Sequence, residues 1–280
     1  MRELPIGFID SGVGGLTVVK QSLRQLPTES IIYLGDNARC PYGPRSLDEV
    51  KRYIWQMTNF LREKGIKMLV IACNTGTAAA LEEIRATLAI PVIGVIHPGS
   101  RAAIKKTENH RVGVIGTSGT IDSQLYEKIL HEKSDQLDVY SVACPEFVDI
   151  VEKNKVYDSE TEEIVEKRLS PLVNNQIDTL VLGCTHYPHL HHVIQKAVGL
   201  DVSLVDSGRE TINEVSTLLD YFNLSRTVKE AREKPPTQVF YTTGNVEDFN
   251  RIAEQWMEQK ELNVKQAEIK GEIIVETVNC

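Results

Sequence analysis

The sequence lacks long apolar runs and any excess of basic residues. None of its apolar runs approaches the roughly 18 residues needed to span a bilayer, so we expect no membrane-spanning segment. The net charge of −8 argues against nucleic acids and membrane surfaces as partners, because both require basic patches on the protein. Residues 1–5 lead directly into a predicted strand, so we also expect no signal peptide.

Paired cysteines are missing as well. The five cysteines are odd in number and widely scattered, and no Cys-x-x-Cys motif occurs. This distribution fits neither a disulfide framework nor a zinc site, so we expect free thiols and a cytoplasmic protein. The chain has 280 residues, 41% hydrophobic and 25% charged, which allows two globular domains or one large domain. The cysteines are Cys40, Cys73, Cys144, Cys184 and Cys280.

One glycine is absent from a pattern that otherwise suggests a dinucleotide-binding loop. A predicted strand over residues 6–9 is followed by the glycine-rich residues 10–15 and then by a helix. Thr17 stands at the third glycine position of the fingerprint, where close packing of helix on strand requires glycine or alanine. A dinucleotide cofactor is therefore not expected.

What the sequence does contain is one arrangement of residues that occurs twice. Residues 68–72 form a short apolar run that predicts a buried strand, followed by Cys73 and an alanine-rich helix. Residues 179–183 lead in the same way into Cys184, and a helix is predicted over residues 188–197. Ligands of open α/β sheets bind at the carboxyl ends of the strands. The two cysteines therefore mark the predicted functional site.

A second pair of strands indicates an internal duplication. The strand containing Gly113 aligns with the strand containing Gly7 at an offset of 113 − 7 = 106 residues, which places Thr117 over Ser11. The two strand-end cysteines are 184 − 73 = 111 residues apart. Offsets this similar, with strand–loop–helix units between them, predict two related halves.

We therefore predict an α/β fold of two similar lobes, each with a mostly parallel sheet flanked by helices. The functional site is expected in the cleft between the lobes. The first lobe is predicted to comprise residues 1–97 and 207–280, and the second residues 98–206. Residues 97–99 are predicted to break the structure where the chain crosses between lobes.

Other segments give local predictions. Proline and glycine predict a loop over residues 35–44, which either reaches over a site or forms a rigid surface connection. Ser46 is expected to cap the next helix, with Glu49 in the capping-box position. A loop is predicted over residues 224–236, and no function is assigned to residues 246–280.

Two further patterns lie in the second half of the chain. A predicted strand ends in Asp-Ser-Gly at residues 206–208, as the first strand does at residues 10–12. His189, His191 and His192 are predicted to form a solvated helix face.

The position of the two cysteines suggests reactive thiols. A residue between a strand end and a helix lies beside unpaired backbone N–H groups and the positive end of the helix dipole. Both effects favour thiolate over thiol, so we expect thiolates at Cys73 and Cys184. The same N–H groups can hold a carboxylate without an arginine. Cys40 and Cys144 lie in predicted loops and are expected to be small buried apolar side chains.

Two thiols on opposite faces of a bound molecule can invert a stereocentre, because one removes a proton and the other returns one. His186 can move protons for Cys184, and Asp10 can do so for Cys73 at the matching strand end. A capping or packing role is the alternative for His186. The strand-end motifs contain no lysine to form a Schiff base and no zinc-like ligand spacing, so neither pyridoxal phosphate nor a metal is expected.

Several short motifs, in order along the chain, resemble those of the cofactor-independent glutamate racemases in the aspartate/glutamate racemase family. The likeness extends over about residues 6–243. It implies interconversion of L- and D-glutamate, with the D form used for bacterial peptidoglycan synthesis, and a homodimer. The motifs are Asp10-Ser11-Gly12, Cys40-Pro41-Tyr42-Gly43, Ala72-Cys73-Asn74-Thr75 and Gly183-Cys184-Thr185-His186-Tyr187-Pro188.

The resemblance also implies residue roles. Cys73 would abstract the α-proton of D-glutamate and Cys184 that of L-glutamate. Asp10 and His186 would assist them, with Glu152 near the substrate ammonium. The implied substrate contacts are Asp10, Ser11, Tyr42, Gly43, Asn74, Thr75, Thr185 and His186.

Two alternatives remain open at this point. The same fold serves aspartate racemases and related two-thiol isomerases, so glutamate rests on the motifs rather than on the fold. A protein of another class, a two-lobed small-molecule binder, would close its cleft without chemistry. The paired thiols favour an enzyme, because a binder does not need them.

Overall fold

Strands and helices alternate along the chain. A computed structural model describes residues 1–277, so the free thiol predicted at Cys280 lies outside the described residues. The strands are β1 (Ile6–Asp10), β2 (Ile31–Gly35), β3 (Met68–Ile71), β4 (Val92–Gly94), β5 (Arg111–Gly116), β6 (Asp138–Ala143), β7 (Thr179–Gly183), β8 (Ser203–Asp206), β9 (Gln238–Thr242), β10 (Val264–Lys270) and β11 (Ile273–Glu276).

Several helices begin after a residue whose side chain caps the first turn. Ser46 caps the second helix as predicted, since its side chain accepts a hydrogen bond from the Glu49 backbone N–H at 3.3 Å. A short 3-10 turn, Tyr187–Leu190, precedes the ninth helix. The helices are α1 (Leu16–Gln25), α2 (Leu47–Lys64), α3 (Asn74–Thr87), α4 (Ile96–Lys106), α5 (Ser118–Asp122), α6 (Leu125–Lys133), α7 (Glu146–Glu152), α8 (Ser159–Asn174), α9 (His191–Val198), α10 (Ser207–Tyr221), α11 (Val228–Glu233) and α12 (Val246–Met257).

Two sheets form, and their strand orders repeat. Over residues 1–277 the first sheet has the order β11-β10-β9-β2-β1-β3-β4 and the second has the order β6-β5-β7-β8. Neighbouring strands are parallel, apart from the antiparallel pair β10 and β11. The order β2-β1-β3-β4 in the first sheet matches β6-β5-β7-β8 in the second. The predicted fold of two similar α/β lobes is confirmed.

Helices cover both faces of each sheet. Successive side chains of a strand point to opposite faces, so each strand contributes to an apolar cluster on either side. Phe8 packs in an apolar cluster with α1, α10 and α12, whereas Ile9 packs with α2 and α3 on the other face. In the second sheet Ile115 faces α7, α8 and α9, and Val114 faces α4 and α6. Burial on both faces explains why these strands read as continuous apolar runs in the sequence.

The carboxyl ends of the strands in the two sheets face each other. The Gly119 backbone N–H of the second lobe donates to the Gly43 carbonyl of the first at 2.9 Å. Thr17 Oγ1 of the first lobe donates to the Thr185 carbonyl of the second at 3.0 Å. The segments that follow β1, β2, β5 and β7 therefore meet in one cleft.

Two segments that were predicted to be non-helical contain helices. The prediction at residues 97–99 is wrong, because α4 runs through them. Pro98 lies in the first turn of α4, where a helix does not need the backbone N–H that proline lacks. The loop predicted over residues 224–236 contains α11, which begins with a capping box between Thr227 and Glu230.

The repeated Asp-Ser-Gly triplet does not mark equivalent strands. Residues 206–208 follow β8, whose counterpart in the first sheet is β4 rather than β1. Asp206 instead caps α10 by accepting hydrogen bonds from the N–H groups of Gly208 and Arg209.

The C-terminal segment extends the first sheet. Residues 246–276, to which the sequence assigned no function, form α12, β10 and β11 against that sheet. Along the chain, the lobe boundaries predicted after residues 97 and 206 separate the strands of one sheet from those of the other. The boundaries themselves stay a prediction. Within residues 1–277, no helix is both long enough and apolar enough to cross a lipid bilayer.

Candidate active site

An enclosed cavity lies between the lobes at the carboxyl ends of the strands. Its volume is about 30 Å³, which holds roughly one water molecule. A larger apolar groove of about 450 Å³ lies at the opposite, amino ends of β3 and β4. We take the small cavity as the candidate site because both strand-end thiols converge on it. It is lined by Ser11, Cys40, Pro41, Tyr42, Gly43, Cys73, Asn74, Thr75, Thr117, Thr120, Val148, Gly183, Cys184, Thr185 and His186.

The cavity gathers most of the predicted site residues from both lobes. Cys73 and Cys184 are each 7% exposed, at equivalent strand ends of the duplicated lobes. Asp10 is fully buried below the cavity surface, and the exposed Glu152 reaches the site through His186. In the described part of the chain, no group of three or more His, Cys, Asp or Glu side chains is arranged to hold a metal ion.

His186 connects Cys184 to Glu152. Its Nδ1 lies 3.8 Å from Cys184 Sγ, and its Nε2 lies 3.1 Å from Glu152 Oε1. Burial lowers the pKa of His186, but hydrogen bonds to Cys184 and Glu152 outweigh burial and raise the pKa to about 10. The imidazole is therefore protonated at neutral pH and presents a positive charge to the sulfur. Such a charge stabilises a thiolate.

Cys73 occupies the N-cap position of α3. Its Sγ accepts a hydrogen bond from the Gly76 N–H at 3.3 Å and donates to Ser11 Oγ at 3.9 Å. Burial, and secondarily the charge of Asp10, raise the pKa of Cys73 to about 12, although the Gly76 hydrogen bond lowers it. The predicted thiolate at Cys73 is therefore wrong for the closed cavity, because desolvation outweighs the helix terminus.

Asp10 ends β1 with half of its carboxyl group unsatisfied. Its Oδ2 accepts a hydrogen bond from the Gly12 N–H at 3.1 Å, whereas Oδ1 has no partner among the described residues. Burial raises the pKa of Asp10, and the charge of His186 and the backbone N–H groups lower it. A buried oxygen without a partner is suited to accept a hydrogen bond or a proton from a bound molecule.

Hydroxyl and amide groups of both lobes meet at the cavity. Thr75 Oγ1 lies 2.9 Å from Thr117 Oγ1 and 3.1 Å from Thr120 Oγ1. The Asn74 amide oxygen accepts a hydrogen bond from the Tyr126 hydroxyl at 2.8 Å. The Asn74 Nδ2 is buried and has no partner within residues 1–277. These donors are suited to bind a carboxylate.

The loop after β2 reaches the cavity, in agreement with the first of the two predictions for it. It brings Tyr42 and Gly43 to the site. The Tyr42 hydroxyl donates to the buried Asp36, which also accepts from Arg39 Nε at 2.7 Å and from Thr243 Oγ1 at 2.8 Å. Because its hydroxyl is engaged with Asp36, Tyr42 contributes its ring and backbone to the cavity rather than a free hydroxyl.

Three lining residues with thiol or hydroxyl side chains were missed from the sequence. Cys40, predicted to be only a buried apolar side chain, adds a third thiol to the cavity, and burial raises its pKa. Thr117 aligns with Ser11 in the duplication, so that alignment could have identified it. Thr120 lies one helical turn further, and no sequence pattern indicated its role.

One of the three histidines of the predicted solvated face is packed. His191 and His192 are exposed as expected. His189 instead lies against the indole of Trp256, with ring centroids 4.1 Å apart. Its position was missed because Trp256 is far away in the sequence.

Gly14 permits the lobes to approach closely. A Cβ atom at Gly14 would lie 2.2 Å from Thr185 Oγ1 and 2.6 Å from the Nδ1 and Cε1 atoms of His186, which is closer than atoms can approach. The second glycine of the incomplete dinucleotide pattern therefore makes room for the second lobe. Thr17, which broke that pattern, supplies the hydroxyl that bonds to Thr185.

Comparison with known proteins extends these observations. Residues 6–215 match the model of a family described as Asp/Glu/hydantoin racemase. The chain is 56% identical to a glutamate racemase of Carnobacterium sp. (strain St2) over 265 residues, which cover 95% of this chain and 98% of that protein.

Two crystal structures are similar along nearly the whole chain. A glutamate racemase isoform from Bacillus anthracis has 46% identity and a TM-score of 0.91, and the match covers 98% of this chain and 100% of that chain. The glutamate racemase of Francisella tularensis subsp. tularensis SCHU S4, in complex with D-glutamate, has 35% identity and a TM-score of 0.87. That match covers 96% of this chain and 98% of that chain.

Proposed function

Because the chain belongs to the Asp/Glu/hydantoin racemase family, we propose that it interconverts L- and D-glutamate without a cofactor, using Cys73 and Cys184 as the two acid–base groups. One observation carries the proposal. Equivalent strand ends of two duplicated lobes bring two thiols to one enclosed cavity. A molecule held between the lobes presents opposite faces to the two sulfurs, so proton removal on one face and addition on the other inverts its α-carbon.

In the L-to-D direction, Cys184 acts as the base. Its thiolate takes the α-proton of L-glutamate, and the electron pair of the broken C–H bond stays on the α-carbon and its carboxylate. Cys73 then gives its thiol proton to the opposite face and becomes the thiolate that begins the reverse reaction. Two features support this assignment: protonated His186 lies 3.8 Å from Cys184 Sγ, and the raised pKa keeps Cys73 as a thiol.

In the D-to-L direction, Cys73 must first lose its proton. A substrate ammonium group in the cavity lowers the pKa of a neighbouring thiol, because its positive charge stabilises the thiolate. Asp10 is the group that we assign to assist Cys73, since its buried Oδ1 lacks a partner in the described structure. Glu152 orients His186, and an additional contact of Glu152 with the substrate ammonium remains a prediction.

The carboxylates of glutamate are assigned to the polar groups around the start of α3. The Asn74 Nδ2 group is buried and unpaired among residues 1–277, and the first N–H groups of α3 carry the positive end of the helix dipole. The hydroxyl groups near Thr75 come from both lobes. Further contacts are proposed for Ser11, Tyr42, Gly43, Thr117, Thr120, Thr185 and His186.

Substrate entry requires the lobes to separate. The cavity of about 30 Å³ has room for roughly one water molecule, whereas glutamate has roughly ten non-hydrogen atoms. Opening breaks the contacts of Thr17 with Thr185 and of Gly43 with Gly119, and closure around glutamate restores them. A closed cavity also excludes water from the carbanion-like intermediate.

The test of the proposed activity is chiral chromatography of L-glutamate and L-aspartate incubated separately with purified protein. The protein is first dialysed against a chelator, and no pyridoxal phosphate is added. Formation of D-glutamate, with little D-aspartate, supports the proposal. Preferential formation of D-aspartate identifies the aspartate racemase alternative, and tight binding of glutamate without turnover identifies a binding protein.

Three properties of the biological context are also proposed. The D-glutamate product would supply peptidoglycan synthesis, the protein would act in the cytoplasm, and it would form a homodimer. These rest on the resemblance to glutamate racemases and on the free thiols. Light scattering of the purified protein measures the oligomeric state directly.

A further inference from the structure

Trp256 lies between the two lobes, beside the proposed catalytic histidine. Among residues 1–277 it is the one residue that packs against an apolar cluster of each lobe, that of α1, α10 and α12 and that of α7, α8 and α9. Its indole ring meets the His186 ring at 87°, with centroids 5.8 Å apart. The C-terminal helix α12 of the first lobe therefore contacts the site in the second lobe.

The His186 ring is held by groups of both lobes. The second lobe supplies Cys184 and Glu152, which contact the two ring nitrogens. The first lobe supplies the Trp256 indole and the backbone at Gly14, where a Cβ atom would come within 2.6 Å of the ring. Separation of the lobes removes both first-lobe contacts and leaves the imidazole held from one side.

Trp256 is itself fixed in place. Its carbonyl accepts a hydrogen bond from Lys20 Nζ at 2.9 Å, and Lys20 also pairs with Glu258 at 2.9 Å, which ties the end of α12 to α1. On its other side Trp256 packs against His189, whose backbone N–H donates to the His186 carbonyl at 3.1 Å. The indole thus contacts both the ring of His186 and the turn that carries it.

We propose that Trp256 is a positioning residue for His186, so that the chain of contacts from Glu152 through His186 to Cys184 is complete only when the lobes are closed. The inference rests on the proposed racemase function. It assigns to the C-terminal helix a part in the reaction, although Trp256 does not line the cavity within the described structure. Without the indole, the imidazole can turn away from Cys184 while the cavity itself stays intact.

The test compares three variants of Trp256 with a matched control. Trp256→Ala removes the ring, Trp256→Leu keeps apolar volume, and Trp256→Phe keeps an aromatic ring. Trp55→Ala is the control, because Trp55 is the only other tryptophan and bonds with Glu83 on the surface, away from the site. We expect kcat/KM to fall about 10–100-fold in the alanine and leucine variants and to stay within about threefold in the phenylalanine variant and the control. The fall must be equal in both directions, since the two enantiomers have equal free energy.

Deuterium isotope effects distinguish positioning from a general structural role. If only the step at Cys184 is impaired, that step becomes more rate-limiting. The isotope effects on kcat/KM measured with L-[2-²H]glutamate and with D-[2-²H]glutamate then change in opposite directions. Unchanged isotope effects, or effects that change together, would overturn the proposal. If Trp256→Ala does not fold, Trp256→Leu decides the question, because it preserves packing between the lobes.

The same measurements separate this inference from the proposed function. Absence of glutamate racemisation by both the wild-type protein and Trp55→Ala means that the proposed function fails. Full activity of Trp256→Leu beside an active wild-type protein means that the positioning role alone fails.

Discussion

His186 Nε2 lies 3.1 Å from Glu152 Oε1, and this contact joins an exposed carboxylate to a buried imidazole. On its other side the same imidazole lies 3.8 Å from Cys184 Sγ. Burial alone would lower the pKa of His186, so the hydrogen bonds must supply the stabilisation that keeps the ring protonated. The charge next to one of the two thiols therefore depends on a residue outside the cavity.

Replacing Glu152 by glutamine should lower the pKa of His186. The pKa is raised from about 6.5 to about 10 in the folded protein, so protonated His186 contributes stability that is fully present below about pH 6.5 and is lost as pH rises through about 10. Glu152→Gln should shrink that contribution and leave stability less dependent on pH between these values. NMR titration of ¹⁵N-labelled histidine measures the pKa, and urea unfolding at several pH values measures the stability. An unchanged His186 pKa in the variant would contradict this account.

Cys73 should react slowly with alkylating reagents at neutral pH. Burial raises its pKa to about 12, so the thiolate is rare until the solution becomes strongly alkaline. At pH 8 we expect alkylation roughly 10–100-fold slower than that of an unperturbed thiol, since the low thiolate fraction is partly offset by higher nucleophilicity. Iodoacetamide labelling followed by peptide mass spectrometry, compared with a small-molecule thiol, gives the rates. Fast labelling of Cys73 at pH 7 would show that the helix terminus outweighs desolvation.

Gly14→Ala should abolish most of the activity without unfolding the protein. The added Cβ would lie 2.2 Å from Thr185 Oγ1 and 2.6 Å from the His186 ring, so the lobes cannot close as they do here. We expect a loss of about 10²-fold or more in kcat/KM. Gly7→Ala is the control, because its Cβ meets Ile66 and Leu61 inside one lobe. That variant should lose about 1–3 kcal/mol of stability and keep its turnover. Equal loss of activity in both variants would argue against a specific effect on closure.

Replacing either Cys73 or Cys184 by alanine should abolish racemisation in both directions, because inversion needs an acid–base group on each face. A positioned acid–base group typically contributes 10²–10⁴-fold to the rate, and here the group would be absent altogether. Chiral chromatography of each variant with L- and D-glutamate measures the loss. Cys144→Ala is the matched control: Cys144 is buried outside the cavity and should be dispensable for turnover.

Much of the architecture could be predicted because parallel strands buried on both faces leave continuous apolar runs in the sequence. The two cysteines were identifiable for the same reason, since each follows such a run directly. The break predicted at residues 97–99 was wrong because proline is tolerated in the first turn of a helix. Local composition does not distinguish a first turn from a crossing between lobes.

Parts of the site could not be predicted because they depend on tertiary contacts. The pKa of Cys73 follows from burial by both lobes, whereas the sequence shows only the helix that begins beside it. Cys40 reaches the cavity through a loop whose path is set by the bonds of Asp36 with Arg39 and Thr243. Trp256 and His186 are far apart in the sequence, and their rings come into contact only once the two lobes have packed together.

The most direct test of the two-thiol account is the fate of the α-proton in deuterated water. The wild-type protein is incubated with unlabelled L-glutamate or D-glutamate, and both enantiomers are separated at low conversion and analysed by mass spectrometry. With one thiol on each face, the product enantiomer should carry deuterium at the α-carbon while the remaining substrate carries almost none. Substrate that gains deuterium as fast as product forms would mean that a single group serves both faces, and the account would be contradicted.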